Sequence, residues 1–172
     1  MPCALTQGYT LDCKEGIGGI KNAYFIAFND VSSIVEASGV VTGLTKSTGK
    51  RFYKYQLAQE TANFSDNLQS NIQNGTLFYE HTLQIILNNR TTAIRNEILL
   101  LAKNTVIAVV QDYNDRYWLL GKQAGLDVSE GGGGSGTARA DRNGFTLTFK
   151  GMEKELAVEV NSTVANALET AG

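Results

Sequence analysis

Residues that carry chemistry are scarce in this chain. Across 172 residues there is one histidine, His81, and two cysteines, Cys3 and Cys13. Those three side chains do not make a zinc set, because their spacing is wrong and a fourth ligand is missing. Charge is also thin, at 19 % of residues, against about a quarter in ordinary soluble domains. Fifteen basic and seventeen acidic residues are scattered along the chain and leave a formal net charge of −2. Without a basic stripe to neutralise phosphates, sequence-specific nucleic-acid binding is not expected. No run approaches the roughly 18 apolar residues of a membrane span. The start, Met1 to Gly8, lacks the basic and apolar regions of a secretory signal. The Asn-x-Ser/Thr triplets at Asn63, Asn74, Asn89 and Asn161 then read as chance in an Asn- and Thr-rich chain. By the same reasoning Cys3 and Cys13 are read as reduced thiols in a cytoplasm.

What replaces the missing charge is Asn, Thr, Ser, Gln and eighteen glycines, beside an apolar content of 42 %. Surfaces of neutral polar groups are cheaper to bury than charged ones, and interface cores are depleted in charge. The length fits one domain, 1–172, with a core large enough to need neither disulfide nor metal.

Strand patterns dominate. Residues 1–22 read as irregular, punctuated by Gly16, Gly18 and Gly19. Ala23 to Phe28 reads as a buried strand, and Val31 to Val35 with Val40 to Leu44 as a hairpin turning at Ala37-Ser38-Gly39. Arg51 to Leu57 alternates, placing Tyr53, Tyr55 and Leu57 on one face. The neutral polar stretch 58–76 reads as a long arm or short helix, with Phe64, Leu68 and Ile72 four apart and a tight turn at Asn74-Gly75. Leu77 to Leu87 is the clearest strand, with Tyr79, His81, Leu83 and Ile85 on its apolar face. One helix is expected at about 92–103, capped by Thr91 or Thr92, with Ile94, Ile98, Leu101 and Ala102 as its stripe. Thr105 to Val110 pairs with Arg116 to Leu120. A Gly-rich loop is expected over 121–141, then strands at Phe145 to Lys150 and about Lys154 to Val160, and a helical turn at 164–168. The fold class is mainly β, a sandwich or barrel with one packed α-helix.

None of the candidate motifs completes a site. His81 on a strand's apolar face reads as a buried, hydrogen-bonded imidazole. Gly133 to Thr137 lacks the last glycine of a nucleophile elbow. Gly131, Gly133 and Gly136 match the dinucleotide spacing without a helix to open. Gly43 to Arg51 is one residue too long for a phosphate loop and has Arg51 where Ser or Thr must hold magnesium. Glu153 and Glu155 read as a solvated strand edge, which also discourages stray pairing. The glycine tract resembles an engineered linker, but patterned sequence continues on both sides. No catalytic, cofactor or metal residue is assigned, and the chain does not read as an enzyme.

Two stretches resemble tail proteins of bacteriophages, particularly phages of Bacteroidetes hosts, crAss-like phages included. One is Cys3 to Phe28, with Leu11-Asp12-Cys13-Lys14 and Gly18-Gly19-Ile20 ahead of an aromatic strand. The other is the Gly-rich segment running into Asp141-Arg142-Asn143-Gly144-Phe145-Thr146-Leu147-Thr148-Phe149-Lys150-Gly151. The resemblance implies a tail-tube or tail-hub subunit, a β-sandwich flanked by one helix. Such subunits form a ring, generally of six, whose sheets join into a barrel around the DNA channel, with neighbouring tail or connector proteins as partners. It implies a virion component assembled in the bacterial cytoplasm, without cofactor, metal or membrane. Segments 58–76 and 121–141 would then order across subunit boundaries. The competing readings are a head–tail connector or capsid decoration protein, a secretion-system tube protein, and a host hydrolase or ligand-binding β domain.

Overall fold

The computed structural model describes residue 5, residues 7–11 and residues 13–172. The chain is mainly β: the described residues form eleven strands in two sheets, one principal helix, one short helix and a 3-10 turn at Phe28–Asp30. The strands are β1 (Ile20–Ala27), β2 (Val31–Ala37), β3 (Val40–Lys46), β4 (Tyr53–Gln56), β5 (Ala62–Asn71), β6 (Thr76–Leu87), β7 (Val106–Asp112), β8 (Tyr117–Leu120), β9 (Asp127–Gly134), β10 (Gly144–Glu153) and β11 (Val158–Val160). The helices are α1 (Thr92–Lys103) and α2 (Ser162–Asn166). A seven-stranded sheet runs β2-β3-β11-β8-β7-β1-β4, and a four-stranded sheet runs β5-β6-β10-β9. Pairing is antiparallel throughout except between β11 and β3.

The two sheets enclose one core, and a second core lies on the far side of the larger sheet. Alternation along β1 and β7 builds both. Ala23 and Phe25 with Ala108 and Val110 face the small sheet, meeting Leu83, Ile85, Leu147 and Phe149. Tyr24 and Ile26 with Ile107 and Val109 face the other way, under Phe52, Ala165 and Leu168. The ring of Phe25 stacks on Phe149 at 4.9 Å and meets Tyr55 edge-on at 5.2 Å. Central strands covered on both faces read as continuous apolar runs, which is why Ala23 to Phe28 shows no alternation.

The C-terminal segment closes the second core and is fastened by one ammonium group. Lys46 Nζ donates to the carbonyls of Ala167, Leu168 and Thr170 at 2.7, 3.2 and 2.5 Å. The Phe52 and Gly172 amides donate to Leu168 and Lys50, respectively. Burial pushes the Lys46 pKa below its ordinary value.

Four sequence expectations are corrected. Segment 58–76 is not an arm or a helix: ten of its residues form β5, paired along their whole length with β6. Its even spacing of Phe64, Leu68 and Ile72 fits a two-residue period as well as a helical one, and its polar residues are the strand's outward half. Segment 121–141 is not a loop throughout, because Asp127–Gly134 is β9, and only the stretches on either side of that strand are irregular. Glycines carry no alternation, so that strand leaves no trace in a hydrophobicity pattern. The last strand is confined to Val158–Val160, since residues 154–157 leave the sheet to meet His81 and Asp66. The irregular N-terminal segment ends earlier than 22, with Ile20 and Asn22 already buried in β1.

The hairpin between β2 and β3 turns on Ser38 and Gly39, both at positive φ (54° and 78°), the geometry that matches strand twist. Helix α1 starts where Thr91 accepts from the Ile94 amide at 3.3 Å. Only Leu101 of that helix is buried, while Ile98 is half-buried against the first core. A twelve-residue helix with one buried side chain is lightly held.

Candidate functional site

The residues with chemical potential lie apart, and His81, Asp66 and Glu153 bond backbone groups of neighbouring segments. His81 is 2 % exposed on the core face of β6, and its Nε2 lies 2.9 Å from the Glu155 carbonyl. Asp66 stands opposite it on β5, with Oδ1 at 3.7 Å from Nε2. The other carboxylate oxygen of Asp66 accepts from the Ala157 amide at 3.1 Å. This pair therefore pins segment 154–157 to the small sheet.

Glu153 and Glu155 do not form a solvated edge as expected. Glu153 is 4 % exposed, and its carboxylate accepts from the Gln123 amide at 3.0 Å and the Ala124 amide at 2.9 Å. The loop after β8 needs an anion for its unpaired amides, and Glu153 supplies it. Glu155 is exposed and shares Lys122 with Glu36. Burial acts to lower the Lys122 pKa, but hydrogen bonds to the two carboxylates outweigh it and the net shift is upward.

The glycine motifs are parts of the sheets. Gly131 and Gly133 lie within β9, which leads into Ser135, and Gly136 lies in the loop beyond it, where no helix opens. That loop is clasped by Asp141, which accepts from the Ala138 and Thr137 amides at 2.7 and 2.8 Å. Those bonds hold its carboxyl pKa below the ordinary value. Gly43 to Lys46 lie in β3, and the turn that follows leads to β4. Cys13 is an exposed free thiol, while Cys3 lies outside the described residues. Among the described residues, no group of three or more His, Cys, Asp or Glu side chains is placed to hold a metal ion.

What the fold leaves open is surface. The small sheet ends in two long edges, β5 of ten residues and β9 of eight. Its outward face carries Asn63, Ser65 and Asn67 on β5, Thr82 and Gln84 on β6, and Thr146 and Thr148 on β10. The charged residues among these outward positions include Glu80, Glu130, Asp127 and Lys150. The inward face of the β5–β6 hairpin runs past the core, where Leu68 and Leu77 are 57 % and 55 % exposed. A groove of about 270 Å³ opens between β4 and α1, with Phe25, Tyr53, Tyr55, Leu100 and Leu101 among its lining. Burial, followed by the nearby charge of Glu97, pushes the Tyr55 hydroxyl up to about 12.

No family model, curated protein or solved structure matches the chain. The functional reading therefore rests on its own surfaces. Sequence reasoning missed two of them, the β5 edge and the β9 edge, by reading both segments as irregular. The signal available was the length match of 62–71 to 76–85 across the Asn74-Gly75 turn.

Proposed function

We propose that this chain is a structural subunit of a bacteriophage tail tube or tail hub, joining copies of itself into a ring around the DNA channel. The observation that carries the reading is the pair of long open edges on the four-stranded sheet. Proteins that work alone blunt such edges with lysine, proline, bulges or short strands. Here β5 offers Asn, Ser and Gln with a single carboxylate, and β9, half of it glycine, is interrupted by one register shift opposite Thr148 and Phe149 but has no lysine or proline.

Strand direction alternates across the four strands, so β5 and β9 run opposite ways. β9 of one copy then meets β5 of the next as an antiparallel pair, and the sheet continues unbroken around the ring. Contacts of this kind are heterologous and close when the rotation per subunit divides a full turn. The resemblance to tail proteins supplies the expected number, six. The outward face of the small sheet would line the channel. Neutral amides and hydroxyls with a slight excess of carboxylates give DNA nothing to grip, which suits passage over binding. The reading requires no catalytic step, cofactor or membrane, and places the protein in the virion beside other tail or connector proteins.

Electron microscopy of purified protein tests this directly: rings of constant diameter, or stacks of them, are expected. Gly132→Lys with Gly134→Lys gives the control, since both positions have open space for a side chain. The double variant should stay folded and lose the rings. A wild-type protein that stays a monomer at high concentration would sink the proposal.

A further inference from the structure

The segment preceding β1 carries apolar side chains that its own chain leaves uncovered. Leu5, Tyr9, Leu11 and Ile17 are 100 %, 88 %, 88 % and 62 % exposed. Tyr9 and Leu11 are two apart, so an extended stretch at that point sets them on one side, while Ile17 lies beyond a turn in which the Glu15 amide donates to the Cys13 carbonyl. The segment is tied down at Ile17, whose amide and carbonyl both bond the Asn114 side chain, at 3.0 and 2.8 Å. An apolar row of this kind is an interaction element awaiting a groove.

The groove between β4 and α1 offers apolar and aromatic side chains beside the charged Asp30, Lys50, Arg51 and Glu97. Its floor is Phe25 and Leu101, its walls are Tyr53 and Leu100, and both wall residues are more than half exposed. β4 is also the end strand of the large sheet, so its outer backbone groups have no strand partner. An extended segment laid there gains a strand's hydrogen bonds and buries alternate side chains, as in β-augmentation.

We infer that the segment around Tyr9 and Leu11 of one copy docks as an added strand along β4 of a second copy, with its apolar side in the groove against α1. Direction argues for a second copy over the same chain. The segment leaves the fold at Ile20, whereas the groove lies beside Phe25 and Ala27, about 23 Å along β1 at about 3.3 Å per residue. To reach its own groove it must double back and then run parallel to β4, because β4 is antiparallel to β1. A segment from another copy is free to pair antiparallel, the more stable arrangement per residue. The contact uses the large sheet and leaves the edges β5 and β9 untouched. It therefore holds for any self-assembly of this chain and goes beyond the ring.

Two single-cysteine proteins test it, both with Cys3→Ser and Cys13→Ser. One carries Leu11→Cys and the other, on a tag of different size, carries Tyr53→Cys. Mild oxidation of the mixture should give the mixed dimer in preference to either like-with-like dimer. Without cysteines, Leu11→Asp should weaken self-association by about tenfold to a hundredfold, the worth of one buried leucine. The melting of dilute protein should not change, because Leu11 is 88 % exposed in the single chain. Absence of the mixed dimer, or a crosslink within one chain when both cysteines are placed together, overturns the inference. Rings that form without this crosslink count against it alone. Rings abolished by the Gly132 and Gly134 lysines should leave the crosslink intact.

Discussion

Replacing two adjacent glycines of β9 with alanine should give opposite results. At Gly132 an added Cβ meets nothing within 4 Å, whereas at Gly133 it would lie 2.5 Å from Phe145 Cδ1 and 2.9 Å from the Gly144 carbonyl. Neither glycine has a positive φ, so backbone strain does not separate them. Alanine at a compatible site stabilises by about 0.4–1 kcal/mol, because it restricts the unfolded chain. Gly132→Ala should gain that amount. At Gly133 the same gain opposes overpacking of about 1–3 kcal/mol. Even if the Phe145 ring turns aside, the Gly144 carbonyl is backbone and cannot give way without moving β10. A net loss of about 1–2 kcal/mol is expected. At about 2–4 °C per kcal/mol for a chain of this size, the two melting temperatures should differ by several degrees. Melts should be run at several protein concentrations, because self-association shifts the midpoint. Equal melting of the two variants would mean that the glycine tract is not a strand beneath Phe145, and the β9 edge would go with it.

Three further outcomes follow from the contacts. Glu153→Ala should cost about 3–6 kcal/mol in urea unfolding, at about 1.5–3 kcal/mol for each of two amides bonded to a charged group, while Glu153→Gln, which keeps an acceptor, should cost less. Asp141 has its carboxyl pKa lowered from 3.8 by the Ala138 and Thr137 amides, so the clasp is complete above that value and opens as pH falls through the depressed one. The amide resonances of residues 137 and 138 should move together in acid and not in Asp141→Ala. Lys46→Met removes three bonds to the C-terminal carbonyls, and hydrogen exchange should quicken at the Phe52 and Gly172 amides ahead of those in β7.

The fold class was legible because the deciding strands carry their pattern in side chains. Leu77 to Leu87 alternates cleanly, and His81, Leu83 and Ile85 all face the core as that alternation requires. Helix α1 was legible from Thr91 and the Ile94, Ile98, Leu101 spacing. The edges were not, for a physical reason: an edge strand buries little, so selection on its side chains is weak. β5 shows amides where a core strand shows valines, and β9 shows hydrogens. The buried role of Glu153 was equally hidden, because two backbone amides from a loop thirty residues upstream have no signature of their own.

A strand stripped to its peptide repeat also changes what kind of selectivity is available. Along Gly131–Gly134, any visiting chain finds the same ladder of donors and acceptors at the same pitch, whatever its sequence. In the proposed ring, discrimination between a proper mate and an intruder would then come from shape farther off, such as the overhang of Leu68 and Leu77. Drift in the mating strand would be forgiven so long as its length and twist are kept.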